Sequence, residues 1–370
     1  MSESNSSYQY GCCWKKTVML VLLSKLVGLF LALWLAPIFL SSVGDMEQYV
    51  TYSWSGDFLD VITNSTQTIY FLSNVTGGGY LTNALFSAFA AVGVLYPLSK
   101  IKSNNIPWEV ILICYFPSVL TWTSPVGKEA PVVLGLGLIL GWGLSKISAQ
   151  RSSAVALFSG LFLVTLFKPH YLVPLLIGWT LYLCSSFDHR VISLRQALML
   201  SVLLVIGIVT ALLNWTQLDT LFFSLETHFS PDSSTTRQSI WNETGDFIYS
   251  IPYGVYLAFI AVTPHELLQQ NWRAPLLISF CESVLLIFIF IHLLSRDKWE
   301  KKRQMWFVGL VIVFLFWFVH HPFGALNSGS AVRYRSGFLP FLVTLLYGLS
   351  FYSRDGGFIN KSGFLKVDLS

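Results

Sequence analysis

Lys15-Lys16-Thr17-Val18-Met19-Leu20-Val21-Leu22-Leu23 opens an apolar run that continues to Val43 and closes on Gly44-Asp45-Met46-Glu47-Gln48-Tyr49. Its reading decides the fold. The run from about Thr17 to Val43 exceeds the roughly 20 residues of helix that cross a bilayer core of ~30 Å. It follows a polar, uncleavable-looking start and is too long for the core of a signal peptide, so it reads as a membrane helix. Lys15 and Lys16 precede it, and cytoplasmic flanks are enriched in Lys and Arg. The amino terminus is therefore expected inside, with Asp45 at the outer surface. An acid at that depth reads either as a site residue or as a helix-end carboxylate solvated in a loop.

The composition extends this reading to the whole chain. Hydrophobic residues make up 54% of the 370 positions and charged residues only 11%, with a mean hydropathy of +0.61. No ordinary soluble domain has this balance. The expected class is all-α, a polytopic membrane protein. A net charge of +4 does not argue for nucleic acid, because the basic residues gather in short loops between apolar runs, where they set topology. Cys12, Cys13, Cys114, Cys184 and Cys281 have no metal-ligand spacing, and no disulfide framework is expected. Cys12 and Cys13 read as small residues at a helix start or as lipidation sites beside a membrane helix.

Taken in order, the chain gives about ten spans plus a re-entrant or interfacial segment. Residues 50 to 79 are rich in Tyr, Ser, Asn and Gly, with apolar residues at helical spacing, and predict short amphipathic helices on the outer surface. Spans follow at 80–99, 106–123, 130–145, 152–167, 171–187 and 196–214. A polar segment from Asn214 to Asp246 is too long for a plain connection. If the apolar run 247–262 crossed the membrane, the span 274–294 would deliver Arg296, Lys298, Lys301, Lys302 and Arg303 to the outside. It is therefore expected to re-enter or to lie at the interface, which is tolerated where the backbone is buried in protein. Spans 304–320 and 337–352 complete the set, separated by a polar loop reaching to Arg335. The result is one integral membrane domain over 1–353, with outer loops 44–79 and 214–273, and a cytoplasmic tail over 354–370. Both termini are expected to be cytoplasmic. On this topology 17 of the 23 Lys and Arg residues fall on the inner side, counting Lys25 within the first span, and six outside.

Those six, Lys128, Lys168, Arg237, Arg273, Arg333 and Arg335, call for a reason, since positive charge is disfavoured in short outer loops. A bound anion supplies one; pairing with outer carboxylates or lipid headgroups supplies another. Arg333 and Arg335 flank Tyr334. In an extended stretch, residues two apart point the same way, so both guanidinium groups would grip one phosphate. Lys128 and Lys168 sit at the outer ends of neighbouring spans, within reach of the same centre. His170, His228, His265, His320 and His321 are all expected outside, and the adjacent pair lacks metal-site spacing. Glu282, in mid-span, is a secondary functional candidate or a carboxyl kept protonated and bonded to a neighbouring helix. Asn64, Asn74, Asn214 and Asn242 open N-x-S/T triplets in outer segments, but Asn5 and Asn360 do so inside.

Together these stretches resemble the GT-C superfamily of multi-spanning glycosyltransferases that use lipid-phosphate-linked sugars. The likeness covers about residues 15 to 353. Its residues are Asp45-Met46-Glu47-Gln48-Tyr49 after the first span, Pro117 to Trp122 with Gly127-Lys128-Glu129, Lys168-Pro169-His170, Pro252 to Trp272, and Asn327 to Arg335. Pro264-His265-Glu266 stands where related proteins tend to carry a Pro-aromatic ending. The resemblance implies transfer of a sugar from a polyprenyl-phosphate donor to a glycan, lipid or protein acceptor at the outer face of the cell (inner) membrane. It also implies that cationic side chains replace a metal, so that neither a metal nor another cofactor is expected. Such chemistry needs a base at the acceptor hydroxyl and stabilisation of the departing phosphate. Asp45 is the expected base and Glu47 its neighbour in orienting the acceptor or tuning the pKa. Tyr49, Lys128, Glu129, Lys168, His170, Arg333, Tyr334 and Arg335 are the expected binding residues. Competing readings are an O-antigen-polymerase-like polymerase or ligase, a transporter for a lipid-linked glycan, and a membrane scaffold.

Overall fold

The computed structural model describes residues 2–35, 49, 58–101, 103–148, 150–185, 194–227, 235–238, 240–241, 243–269, 273–295 and 303–354. Apart from residues 354 and 303, the expected tail over 354–370 and the basic loop 296–303 lie outside these residues. Among those described, the chain is helical apart from turns, loops and an isolated antiparallel bridge between Thr236 and Asn327. Among the described residues, five helical stretches are long and apolar enough to cross a membrane: Gly11–Trp34, Gly79–Lys100, Glu129–Ile147, Ala274–Ser295 and Gln304–Leu326. This is the pattern of a helical membrane protein.

The amino-terminal half comprises α1 (Ser2–Phe30), continued by a π-helical segment Leu31–Leu35, the short α2 (Phe58–Thr63) and α3 (Ser65–Val75), α4 (Gly79–Lys100), α5 (Trp108–Cys114), α6 (Pro117–Thr123), α7 (Glu129–Ile147), α8 (Ala154–Phe167) and α9 (Leu172–Leu183). The span expected at 106–123 is broken. Pro117 disfavours helical backbone at the residue before it, and Phe116 is extended, with φ −60° and ψ 128°. With 14 and 12 residues, α8 and α9 rise ~21 and ~18 Å, well short of a ~30 Å core. Among the described residues, these are two of the expected ten spans that fall short of crossing length.

The second half begins with α10 (Leu194–Leu213) and α11 (Trp215–Glu226), followed by α12 (Asp246–Tyr249), α13 (Ile251–Ile260) and α14 (Pro264–Gln269). The last long helices are α15 (Ala274–Ser295), α16 (Arg303–Leu326) and α17 (Ser328–Arg354). Within the run 247–262, α13 has ten residues and rises ~15 Å, following the single turn of α12. It then turns at Ala261, whose φ of 60° and ψ of −50° place it in a strained γ-turn closed by Val262 N–H donating to the Ile260 carbonyl at 2.7 Å.

Close packing rests on glycine. A Cβ on Gly137 would collide with the Gly93 backbone of α4, and one on Gly135 with the Gly160 carbonyl of α8. Small residues let helix backbones approach where no water drives them together. The hub is α17: its stretch Phe338–Tyr347 is buried almost throughout, and it touches α4, α5, α6, α7, α13, α15 and α16. Alternate helix ends gather at opposite poles. At one pole, Tyr352 donates to the Lys100 carbonyl at 2.7 Å, Tyr347 meets Ser103 at 3.1 Å and Cys13 reaches the Asn104 carbonyl. At the other, Asn83 accepts from Val126 N–H at 2.8 Å and Ser87 donates to the Ser124 carbonyl. The first is the basic pole below, and the second carries the candidate site.

Candidate functional site

The site is built on the joint between α16 and α17. The polar loop expected from His320 to Arg335 is instead helix on both sides of a break at Asn327. Pro322 fits inside α16 because its missing N–H is replaced. The carbonyl of Phe318, four residues earlier, accepts from His321 Nδ1 at 2.6 Å, which restores the bond that proline removes. His320 and His321 are thereby buried rather than displayed in a loop. At the break, Thr235 accepts from Ser328 N–H at 2.9 Å and Arg237 N–H donates to the Leu326 carbonyl at 2.8 Å, so the long loop after α11 is pinned across the joint.

One turn into α17, Arg333 Nε meets Glu129 Oε1 at 2.8 Å. Glu129 opens α7, where an acid is favoured by the helix dipole, and its side chain is only 2% exposed against 18% for Arg333. The guanidinium carbon lies 5.2 Å from the Trp122 ring centroid and 5.9 Å from that of Tyr334. Lys168, buried at the end of α8, places its ammonium 3.5 Å from the Tyr334 ring centroid. A cation over an aromatic face keeps attraction where water is scarce. Next to it, His170 packs edge-on to Tyr171 at 4.5 Å, and Tyr171 donates toward the Tyr334 carbonyl at 3.4 Å. Burial and then the Lys168 charge hold the His170 pKa down to about 3. The imidazole is neutral at ordinary pH, so the cationic character of the cluster comes from Arg333 and Lys168.

The shared grip expected of Arg333 and Arg335 is corrected by the helix. At 3.6 residues per turn, two positions apart means about 200° around the axis, and the two side chains diverge. Arg335 is 1% exposed and points into the protein, donating to Glu282 Oε2 at 3.0 Å, Ser283 Oγ at 2.6 Å and the Phe259 carbonyl at 3.1 Å. Glu282 also accepts from Ser118 N–H at 2.6 Å, which satisfies an orphan donor at the start of α6. Glu282 is thus bonded to neighbouring helices, and its partner there is a cation, Arg335, which the expectation of a protonated carboxyl did not include. Lys25 is likewise spent inside, donating to Thr123 Oγ1 at 2.8 Å.

A further outer-loop cation is engaged in the same way. Arg237 pairs with Glu266 at 2.7 Å, donates to the Ala261 carbonyl at 2.6 Å and bonds the Gly324 carbonyl. Burial acts to raise the Glu266 pKa, but the Arg237 hydrogen bond and charge, with Thr263, outweigh it and leave the carboxyl below its usual value.

Glu129, Lys168, His170, Arg333 and Tyr334 are therefore brought together, Lys128 immediately precedes the same end of α7, and Arg335 is turned away. Tyr49 is buried and stands 6.0 Å from Tyr70, ring to ring. Asp45 and Glu47 lie outside the described residues. Sequence reasoning did not assign Trp122 or Tyr171 to the site. Trp122 stood within a stretch noted for resemblance, whereas Tyr171 carries no local signal. The chain matches no family model, no curated protein and no solved structure.

Proposed function

We propose that the protein is a membrane glycosyltransferase, moving a sugar from a polyprenyl-phosphate donor to an acceptor at the outer face of the cell membrane. In this reading the membrane is crossed by about ten segments, both termini are cytoplasmic and the pole of Glu129 and Arg333 faces outward. The observation that carries the proposal is the cluster of Arg333 and Lys168 within 6 Å of one aromatic ring, Tyr334, beside a buried acid, Glu129. Fixed cations aimed at a departing phosphate stabilise charge that develops in the transition state. Glu129 holds the Arg333 guanidinium in place through Nε. Asp45, in the loop after the first helix, is the proposed base that takes the acceptor proton. The buried ionisable groups Lys25, Glu282 and Arg335 each bond a neighbouring helix, which supports an enzyme over a transporter that would present such groups along a path.

Thermal stabilisation of the purified protein by a polyprenyl monophosphate, compared with the matching polyprenol, tests the phosphate site. The monophosphate is expected to stabilise and the alcohol not. Arg333→Lys keeps the charge but loses the planar fork, and is expected to weaken monophosphate binding roughly tenfold or more, as for a lost charged hydrogen bond. Equal binding of alcohol and phosphate, or an unaffected Arg333→Lys variant, would remove this cluster from donor recognition.

A further inference from the structure

A cavity of about 260 Å³ lies between α7, α8, α9, α16 and α17, on the side of the bundle away from Arg333. Its walls are almost wholly apolar, with Ile139, Trp142, Leu161, Trp179 and Ile312 among them. It opens sideways, since the lining Leu176 is 59% exposed. One glycine shows how the opening is kept. Along α7, a Cβ on Gly135, Gly137 or Gly141 would strike a neighbouring helix, but one on Gly143 would meet nothing within 4 Å. Gly143 lines the cavity. It is the α7 glycine that preserves space rather than contact.

Depth and charge define the occupant. From Ile139 to Ile147 the α7 wall runs eight residues, ~12 Å at 1.5 Å per residue. One leaflet of a ~30 Å core is ~15 Å deep, so the cavity fits a chain from a single leaflet and no longer path. It ends at the basic pole. There Lys146, one turn beyond Gly143, holds its ammonium 6.0 Å from the Trp142 ring centroid, and Arg151 is exposed just before α8.

We propose that this cavity binds one acyl chain of an anionic phospholipid from the leaflet at the basic pole, with the lipid phosphate held at Lys146. This site is separate from the proposed donor site and does not depend on it. The protein acquires a lipid wedge between α7, α9 and α16, the helices whose far ends carry Glu129, His170 and the α16–α17 joint.

The test uses the full-length protein purified in mild detergent, with native mass spectrometry for retained lipid and thermal unfolding after addition of phosphatidylglycerol or phosphatidylcholine. The wild type is expected to retain phospholipid and to be stabilised by phosphatidylglycerol more than by phosphatidylcholine. Gly143→Leu fills the cavity and is expected to abolish both retention and stabilisation. Lys146→Gln is expected to weaken phosphatidylglycerol binding about fivefold, the worth of one basic residue near an anionic headgroup. Unchanged retention by Gly143→Leu would overturn the location, and equal stabilisation by the two lipids would overturn the headgroup assignment. Recovery of a polyprenyl phosphate instead of phospholipid would overturn the identity of the occupant. Should Gly143→Leu not fold, photolabelling of the wild type by phosphatidylglycerol bearing a diazirine in its chain decides the matter. Label is expected in peptides holding Trp142 and Trp179, and its absence there would reject the site.

Discussion

Arg333 and Arg335 are two residues apart on one helix and live in opposite environments. Arg335 is enclosed by a carboxylate, a hydroxyl and a backbone carbonyl from α15 and α13, and the same carboxylate caps α6. Arg333 meets the Glu129 carboxylate at 2.8 Å, lies 5 to 6 Å from two rings and keeps 18% of its side chain exposed. The comparison separates two uses of a charge in a chain that has few. A guanidinium closed off from solvent serves the framework, while one that keeps part of its side chain exposed beside aromatic faces is the one placed to be reached from outside. Helical periodicity makes the division, and the residue type does not reveal it.

The largest effect should come from breaking the enclosed pair. Removing one partner of a buried ion pair typically costs 3–5 kcal/mol, because the other charge stays buried and unpaired. Glu282→Leu and Arg335→Leu are each expected to lower stability by about that amount, visible as a large drop in Tm in detergent. The double variant should regain much of it, since an apolar pair leaves no orphan charge. A loss in the double equal to the sum of the two single losses would show that the pair is not coupled. Glu129→Gln, by contrast, should shift Tm far less, because Arg333 keeps access to water.

Next in size is activity. Asp45→Asn preserves shape but cannot accept a proton, so sugar transfer from a polyprenyl-phosphate donor in membranes should fall by on the order of a hundredfold or more, about 2.7 kcal/mol in barrier. Expression and Tm should stay at wild-type level. Glu47→Gln is expected to be milder. Full activity in both variants and in their double would remove the first loop from the chemistry and return weight to the transporter reading.

What the sequence made legible follows from which forces act locally. Hydropathy depends on composition along the chain, so the helical class and the long apolar helices at 80–99 and 274–294 were readable. Lys168, Glu129 and Arg333 could be picked out because a charge at the end of an apolar run is costly wherever it sits. The break at Phe116 was present in Pro117 and was overlooked because hydropathy averages over it. The helix through His321-Pro322 was not readable, since it depends on a side chain replacing a backbone donor. The partnership of Arg335 with Glu282 was equally hidden: they are 53 positions apart, and only packing decides which of two neighbouring arginines turns inward. The glycines of α7 were a signal that went unused, because their meaning depends on which helix lies opposite each one.

The smallest expected effect sharpens the contrast between rim and interior through pH. His170 belongs to the rim cluster, where burial and Lys168 hold its pKa to about 3, against about 6.5 for a free imidazole. Below pH 6.5 the unfolded chain takes up a proton that the folded protein refuses, so acid favours unfolding. The stabilisation is complete above that pH and is lost as pH falls toward 3, with a slope of at most about 1.4 kcal/mol per pH unit for one group. Glu266 acts in the same direction at lower pH: its carboxyl is held below the usual value, so its contribution is lost only as pH drops beneath the ordinary carboxylate range. Between pH 6.5 and 5 the two are therefore separable. His170→Gln is expected to flatten the Tm-against-pH curve in that interval while leaving the value at pH 7.5 nearly unchanged. Curves that stay parallel for the wild type and His170→Gln would mean that the imidazole is free to protonate in the folded state. His170 would then count as a third cation of the cluster, and the rim would carry more positive charge than Arg333 and Lys168 provide.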